Sequence, residues 1–481
     1  MKRSFKPCLD WLRRSMPVVS PYGRSLLKQT LESEWPDFAG LQRLFDEVEL
    51  AAAVMKKEPG LAGSLSSIWH ELREINSTFL SLEQGQILDE TEIFEIKTLA
   101  LHLCHLHRIY QKSGLSLPEH EFSDLQGLVS LLNPGEIVVS SFYIYEDYDP
   151  ELAEIREHKR LIEKQIFEAE EGRRQALKAE RTEIVTRERQ QEFKVRQGLS
   201  RQLQAWLAAL RHDVAWSARL EMIVAKAVLS QKWSMCRPQI IDDENGELLV
   251  EDAIHPEVAQ ILKSTGKTFC PVSIGLQRNV TVLTGANMGG KTVAMQTVAF
   301  NLQLARLGFF ALARRICLPM LDYICFIGGD FQDQQAGLSS FGAEIIRFTE
   351  VASLVKNGCG AALFDEFARS TNPSEGSRFV QALCGFLQRE RCYGLVATHY
   401  DGIAPAGASY YQVIGLKKHD TEVEAQVETS PDKVLDRLCS SMDYRLQKVS
   451  GERLVPHDAL RIAGLLAADK DFLTILKKFY D

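Results

Sequence analysis

The sequence predicts two architectures in series: a helical N-terminal part, then a mostly parallel α/β domain from about residue 233. Three observations carry this. Up to Trp233 apolar residues recur at helical spacing, whereas beyond it short strand-like runs alternate with helical ones. The run Thr284-Gly285-Ala286-Asn287-Met288-Gly289-Gly290-Lys291-Thr292 sits between a β-branched stretch, 280–283, and an apolar helical stretch, 293–307. The apolar run Gly360-Ala361-Ala362-Leu363-Phe364 ends in two acids, Asp365 and Glu366, as a buried strand does when it delivers chemistry at its C-terminal end.

The helical part comes first. Leu41, Leu44, Phe45, Val48 and Ala52 mark one helix, and 89–113 another, whose acidic start suits the positive end of a helix dipole. Asn133-Pro134-Gly135-Glu136 signals a turn, and a short β-rich piece is expected over 137–145. From 149 to about 180 both charge signs alternate, while Ile155, Ile162, Ile166 and Ala169 keep an apolar stripe, the pattern of a long exposed helix. Residues 183–195 read either as a continuation of that helix or as a small hairpin. Helical spacing returns through Leu203, Trp206, Leu207, Leu210 and Val214. The expected segments are 1–148, 149–232 and 233–481.

Composition bounds the class. The 481 residues carry a net charge of −8, so no global basic field attracts nucleic acid. The start lacks the apolar core of a signal peptide, and no run is long and apolar enough to span a membrane. Ten scattered cysteines without a Cys-x-x-Cys pair fit reduced thiols, so a cytoplasmic location is expected. His102, Cys104, His105 and His107 are read as ordinary helix residues, because no second ligand cluster accompanies them.

The glycine-bracketed run has a direct physical reading. Backbone N–H groups of such a loop, continued by a helix N-terminus, form a concave donor surface for phosphate oxygens. Gly285, Asn287, Met288, Gly289, Gly290, Lys291, Thr292 and Val293 are the candidate binding residues. Lys291 would reach the β- and γ-phosphates, and the Thr292 hydroxyl would ligate Mg²⁺. Asp365 would hold the same ion, and Glu366 would orient and polarise the attacking water. His399 in Ala397-Thr398-His399-Tyr400 follows another apolar strand and is placed to contact a γ-phosphate. Ser339 or Ser340 would cap the helix that follows Gly337-Leu338.

Together these elements resemble the ATPase domain of the MutS family, a branch of the ABC-type ATPases. The Asn287-Met288-Gly289 centre carries most of that specificity; Ala286 stands where the family has proline. The run from Asp365 to Gly376 is similar to the family's extended acidic motif, with Ser370 in place of a usual glycine. Gly329-Asp330 and Leu338-Ser339-Ser340-Phe341 resemble the segment that contacts the nucleotide of a second subunit. Phe269, in Phe269-Cys270-Pro271, inherits the expectation of stacking on adenine.

The resemblance implies an ABC-type P-loop ATPase domain preceded by an all-α core and lever with a reduced clamp at 183–198. It implies ATP and Mg²⁺ as cofactors and a homodimer or heterodimer with composite sites. The expectation from the chain's length is an engine without mismatch-reading and connector domains, free of any membrane. Its client is expected to be DNA, through Arg187, Arg189, Lys194, Arg196 and Arg201, although Glu188 and Glu192 interleave with them. The alternative client is a protein: short MutS-like chains also resemble proteins associated with adenosylcobalamin-dependent aminomutases, where ATP would drive reactivation.

Overall fold

The computed structural model describes residues 5–117, 121–134, 143–243, 245–285, 290–328, 340–400, 402–403, 405–416, 442–449 and 470–479, without the side chains of 340 and 470. The N-terminal region is helical: α1 (Lys6–Ser15), α2 (Pro21–Glu32), α3 (Phe38–Lys57), α4 (Leu61–Glu71), α5 (Asn76–Glu83), α6 (Glu90–Lys112), α7 (Gln126–Leu132), α8 (Pro150–Glu168), α9 (Glu171–Gln204) and α10 (Leu207–Trp233). Strands begin after Trp233: β1 (Gln239–Ile241), β2 (Leu248–Ala253), β3 (Val272–Leu276), β4 (Val280–Thr284), β5 (Arg315–Pro319), β6 (Tyr323–Ile327), β7 (Gly360–Asp365), β8 (Tyr393–Ala397), β9 (Ser409–Leu416) and β10 (Met442–Val449). Between and after them lie α11 (Pro256–Ser264), α12 (Lys291–Arg306), α13 (Ser340–Asn357), α14 (Pro373–Glu390) and α15 (Lys470–Lys477). None of the described helices is long and apolar enough to cross a membrane.

Two compact units are present. One comprises Pro17–Gln29 and Leu50–Ala225; the other comprises Met1–Met16, Thr30–Glu49 and Lys226–Asp481. In the helical unit, α6 starts on a capping box. Asp89 Oδ1 accepts from the Glu92 N–H at 2.8 Å, and Glu92 Oε2 accepts from the Asp89 N–H at 2.9 Å. One face of α6, through Ile93, Ile96, Leu99, Ala100, Leu103 and Leu106, is buried.

α8 and α9 form an αα-hairpin joined only by Ala169 and Glu170. Asp149 caps α8 by accepting from the Leu152 N–H, and its other oxygen accepts from the Gln191 amide at 2.9 Å. Ile155, Ile162, Leu177 and Ile184 make the small core between the helices, with Ile166 and Ala169 packed against it. Arg156 donates to Glu188 and Glu192 at 2.9 and 2.8 Å, Lys159 donates to Glu188, and Arg181 meets Glu163 at 2.8 Å. Burial by itself raises the Glu188 carboxyl, but Lys159 and Arg156 outweigh it and hold the group below the usual carboxylate range.

Of the two readings of 183–195, the continued helix is the one observed, and 183–198 form no hairpin. Those residues lie inside α9, a single helix of 34 residues, and the chain reverses at 169–170 instead. The β-branched run Ile184-Val185-Thr186 made a hairpin plausible in sequence. Ile184, Glu188, Gln191, Val195 and Leu199, however, recur at helical spacing and bury one face, which decides for helix. Arg187, Arg189, Lys194, Arg196 and Arg201 therefore lie along the body of α9, not at its turn. Of the β-rich piece expected at 137–145, residues 137–142 lie outside the described residues, and Tyr143, Ile144 and Tyr145 belong to no strand.

The other unit carries two sheets. The six-stranded sheet has the order β10-β9-β4-β8-β7-β6, and all its neighbours are parallel except β10 and β9. The four-stranded sheet, β1-β5-β2-β3, is mixed. β4, β7 and β8 are buried at every residue, as strands covered on both faces must be. α12 is buried nearly all round. α1 packs on it through Trp11 against Phe300, ring centroids 5.4 Å apart, and the Phe5 N–H donates to Gln303 Oε1 at 3.3 Å.

Candidate active site

β4, β8 and β7 are consecutive parallel neighbours, so their C-terminal ends lie side by side. Gly285 follows β4, Asp365 ends β7, and Thr398-His399 follow β8. The three ends are stitched together: the Thr398 N–H donates to the Leu283 carbonyl and the Glu366 N–H to the Ala397 carbonyl, both at 3.1 Å. Parallel registration thus converts three separate sequence motifs into one site, at the sheet edge where α/β folds bind ligands.

Within the expected phosphate loop, Ala286, Asn287, Met288 and Gly289 lie outside the described residues. The two bracketing glycines are described, and both need their lack of a side chain. Gly285 has φ +144° and Gly290 φ +82°, and a Cβ at Gly290 would stand 3.0 Å from the Tyr444 ring. α12 starts at Lys291 directly after Gly290, so the positive end of its dipole adjoins the loop. Lys291 Nζ donates to the Gly285 carbonyl at 2.8 Å, spanning the loop. Burial lowers the Lys291 pKa, while Glu366 and Asp365 pull it back up. Val293 follows in the first turn of α12, half-buried.

The Thr292 hydroxyl donates to Asp365 Oδ2 at 2.6 Å. The second oxygen, Asp365 Oδ1, is buried and has no hydrogen-bond partner among the described residues. Burial raises the Asp365 pKa, and the Thr292 hydrogen bond only partly opposes it. A buried carboxylate beside a hydroxyl, with one oxygen unsatisfied, fits a hard divalent cation such as Mg²⁺.

Glu366 and Ala368 both adopt left-handed backbone, φ +49° and +60°. For residues with a Cβ this strain costs about 1–3 kcal/mol each, and surrounding bonds must hold it. Arg369, three residues on, pairs with the Glu366 carboxylate at 2.5 Å. The Ala368 N–H donates to Glu344 Oε2 at 2.9 Å. His399 follows the Thr398 turn, with its ring 4.2 Å from that of Tyr400; burial lowers its pKa, and Glu366 opposes the shift. Tyr400 in turn crowds Gly376, where a Cβ would meet its hydroxyl at 2.5 Å.

Lys291, Thr292, Asp365, Glu366 and His399 are therefore brought together. Ser339 and the Gly329-Asp330 segment lie outside the described residues; of Ser340 only its position, the first residue of α13, is described. Phe269 is half-buried in the coil before β3. Its neighbour Cys270 has its thiol pushed up, chiefly by burial and further by Asp443, while Tyr444 reaches Gly290. The start of β10 thus borders both segments. Tyr444, Arg369 and Glu344 were not singled out in the sequence: each matters through a tertiary contact or through the side-chain geometry of a turn, and none has a spacing rule.

A family model described as MutS domain V matches residues 281–448, the stretch that holds all three strand ends. The chain is 25% identical over 471 residues to the DNA mismatch repair protein MutS of Thermus aquaticus, covering 92% of this chain and 54% of that protein. It is 25% identical over 475 residues to a protein of the same name from Thermus thermophilus, covering 90% and 56%. The same identity holds over 477 residues for the Thermus caldophilus protein, covering 90% and 55%. The chain spans about half the length of the curated relatives it matches.

Proposed function

Given that the chain belongs to the MutS family, we propose that it is an ATPase whose nucleotide site lies at the ends of β4, β7 and β8 and whose output acts on DNA. The observation that carries the ATPase reading is the convergence of Lys291, Thr292, Asp365, Glu366 and His399 on three adjacent parallel strands. Gly285, Gly290 and the start of α12, with Asn287, Met288 and Gly289 between, would cradle the phosphates. Lys291 would leave the Gly285 carbonyl for the β- and γ-phosphates. Thr292 and Asp365 would hold Mg²⁺, which neutralises charge on the phosphates during transfer. Glu366 would release Arg369 to orient the attacking water, and His399 would contact the γ-phosphate. Phe269 would face the base.

Ser339 or Ser340, at the start of α13, would complete the site of a second subunit, so two copies or two related chains would clamp ATP between them. The relatives' name, DNA mismatch repair protein, supports DNA as the client. Exposed Arg187, Arg189, Lys194 and Arg201 on α9 offer phosphate contacts. The test is binding to branched, mismatched and linear DNA across a salt series, with and without ATP. ATP-sensitive binding that weakens steeply with salt is expected. Binding to none of these DNAs would move the output to a protein client, the aminomutase-reactivating reading.

A further inference from the structure

The turn that carries Glu366 is held from a second element, and we propose that Glu344 of α13 is a positioning residue that sets Glu366 for turnover and links it to the start of α13. The proposal deepens the ATPase reading and rests on it. The turn holds two left-handed residues with side chains, Glu366 and Ala368, so its shape depends on bonds from outside. One comes from the sheet, the Glu366 N–H to the Ala397 carbonyl. The other comes from α13. Glu344 Oε2 accepts from the Ala368 N–H at 2.9 Å, and Glu344 Oε1 lies 3.5 Å from the Ser370 hydroxyl. Both contacts are to the turn and neither is to Glu366 itself, so Glu344 acts on that carboxylate through the backbone that aims it.

Glu344 sits four residues into α13, about 6 Å along its axis from Ser340. One helical turn is stiff over that distance. A displacement at the start of α13, where the second subunit's nucleotide is proposed to dock, would move Glu344 and with it the Ala368 N–H. Engagement at one site would then be read by the catalytic carboxylate of the other. Phe341 and Ile345 anchor this part of α13 in the core shared with Phe367 and Ala368, which gives the link a packed base.

The test is Mg²⁺-dependent ATP turnover and thermal midpoint for the full chain, Glu344→Ala, Glu344→Gln and Lys291→Ala. Glu344→Ala is expected to lower kcat roughly 10- to 100-fold, the scale of a misplaced catalytic group, with KM little changed. Glu344→Gln keeps an oxygen acceptor for Ala368 and is expected to recover most of that loss. The proposal is overturned if Glu344→Ala turns over at the parent rate while Lys291→Ala is inactive. It is also overturned if alanine and glutamine lose kcat equally, or if the loss comes with a raised KM and a lowered midpoint, which marks a merely structural residue. A parent chain no faster than Lys291→Ala would refute the ATPase reading itself, and this inference with it.

Discussion

At the ends of β4, β7 and β8, buried strands terminate in polar groups that their neighbours only partly satisfy; in the α8–α9 hairpin, the charges around the core are paired with each other. Among the described residues Asp365 leaves one buried oxygen without a partner, and Glu366 and Ala368 are held in strained backbone. Arg156, Lys159, Glu188 and Glu192 instead close an ion-pair cluster within the hairpin. The first arrangement stores unmet interactions that a cation and phosphates can satisfy. The second is closed mainly on itself, with Arg156 also donating to the Ile144 carbonyl at 2.6 Å. Strain and orphaned groups together tend to mark where ligands act.

Four perturbations would break or sharpen that contrast. The largest effect is expected from Lys291→Ala, which should weaken ATP binding roughly 10- to 100-fold, the scale of charge-assisted hydrogen bonds, and leave the hairpin untouched. Nucleotide titration with hydrogen exchange checks both halves. Next, Ile162→Ala removes one of the four buried residues in the hairpin core and should destabilise that hairpin by about 2 kcal/mol, read as faster exchange confined to α8 and α9. Equal exchange changes at β7 would show that the regions are not independent.

Thr292→Val keeps the shape of the side chain but removes the hydroxyl beside Asp365. About tenfold weaker Mg²⁺ dependence is expected when Mg²⁺ is titrated against ATP binding, with a folding cost of about 1–3 kcal/mol because Asp365 Oδ2 loses its donor. The smallest effect is the hairpin's acid response. Because Glu188 is held below its usual range, its contribution is fully present above the unfolded carboxylate value of about 4.3 and is lost as pH falls through the lower folded value. Helical content monitored from pH 5 downward should fall later in the parent chain than in Lys159→Ala.

The contrast also explains what could be read from sequence. That Gly285, Gly290, Lys291 and Thr292 lie beside the Asp365-Glu366 pair was legible because a strand–loop–helix run and an apolar strand ending in acids are local patterns. The α6 start at Asp89 was legible because capping has a local rule. The hairpin turn was not: Ala169 and Glu170 carry no turn signature, and reversal there follows from the stripe that Ile155 and Ile162 share with Leu177 and Ile184. Glu344 was missed because its partner lies 24 residues away, across a strand and a turn. The hydrogen bond from the Phe5 N–H to Gln303 Oε1 spans 298 residues and leaves no trace in local spacing.

The central claim is that Glu366 turns a nucleotide-binding site into a hydrolytic one. Single-turnover phosphate release with Mg²⁺-ATP, for the parent chain and Glu366→Gln, tests it most directly. ATP affinity should be retained in the variant, with release slowed about 100-fold or more, the scale of a lost general base. Release at the parent rate by Glu366→Gln would contradict the assignment.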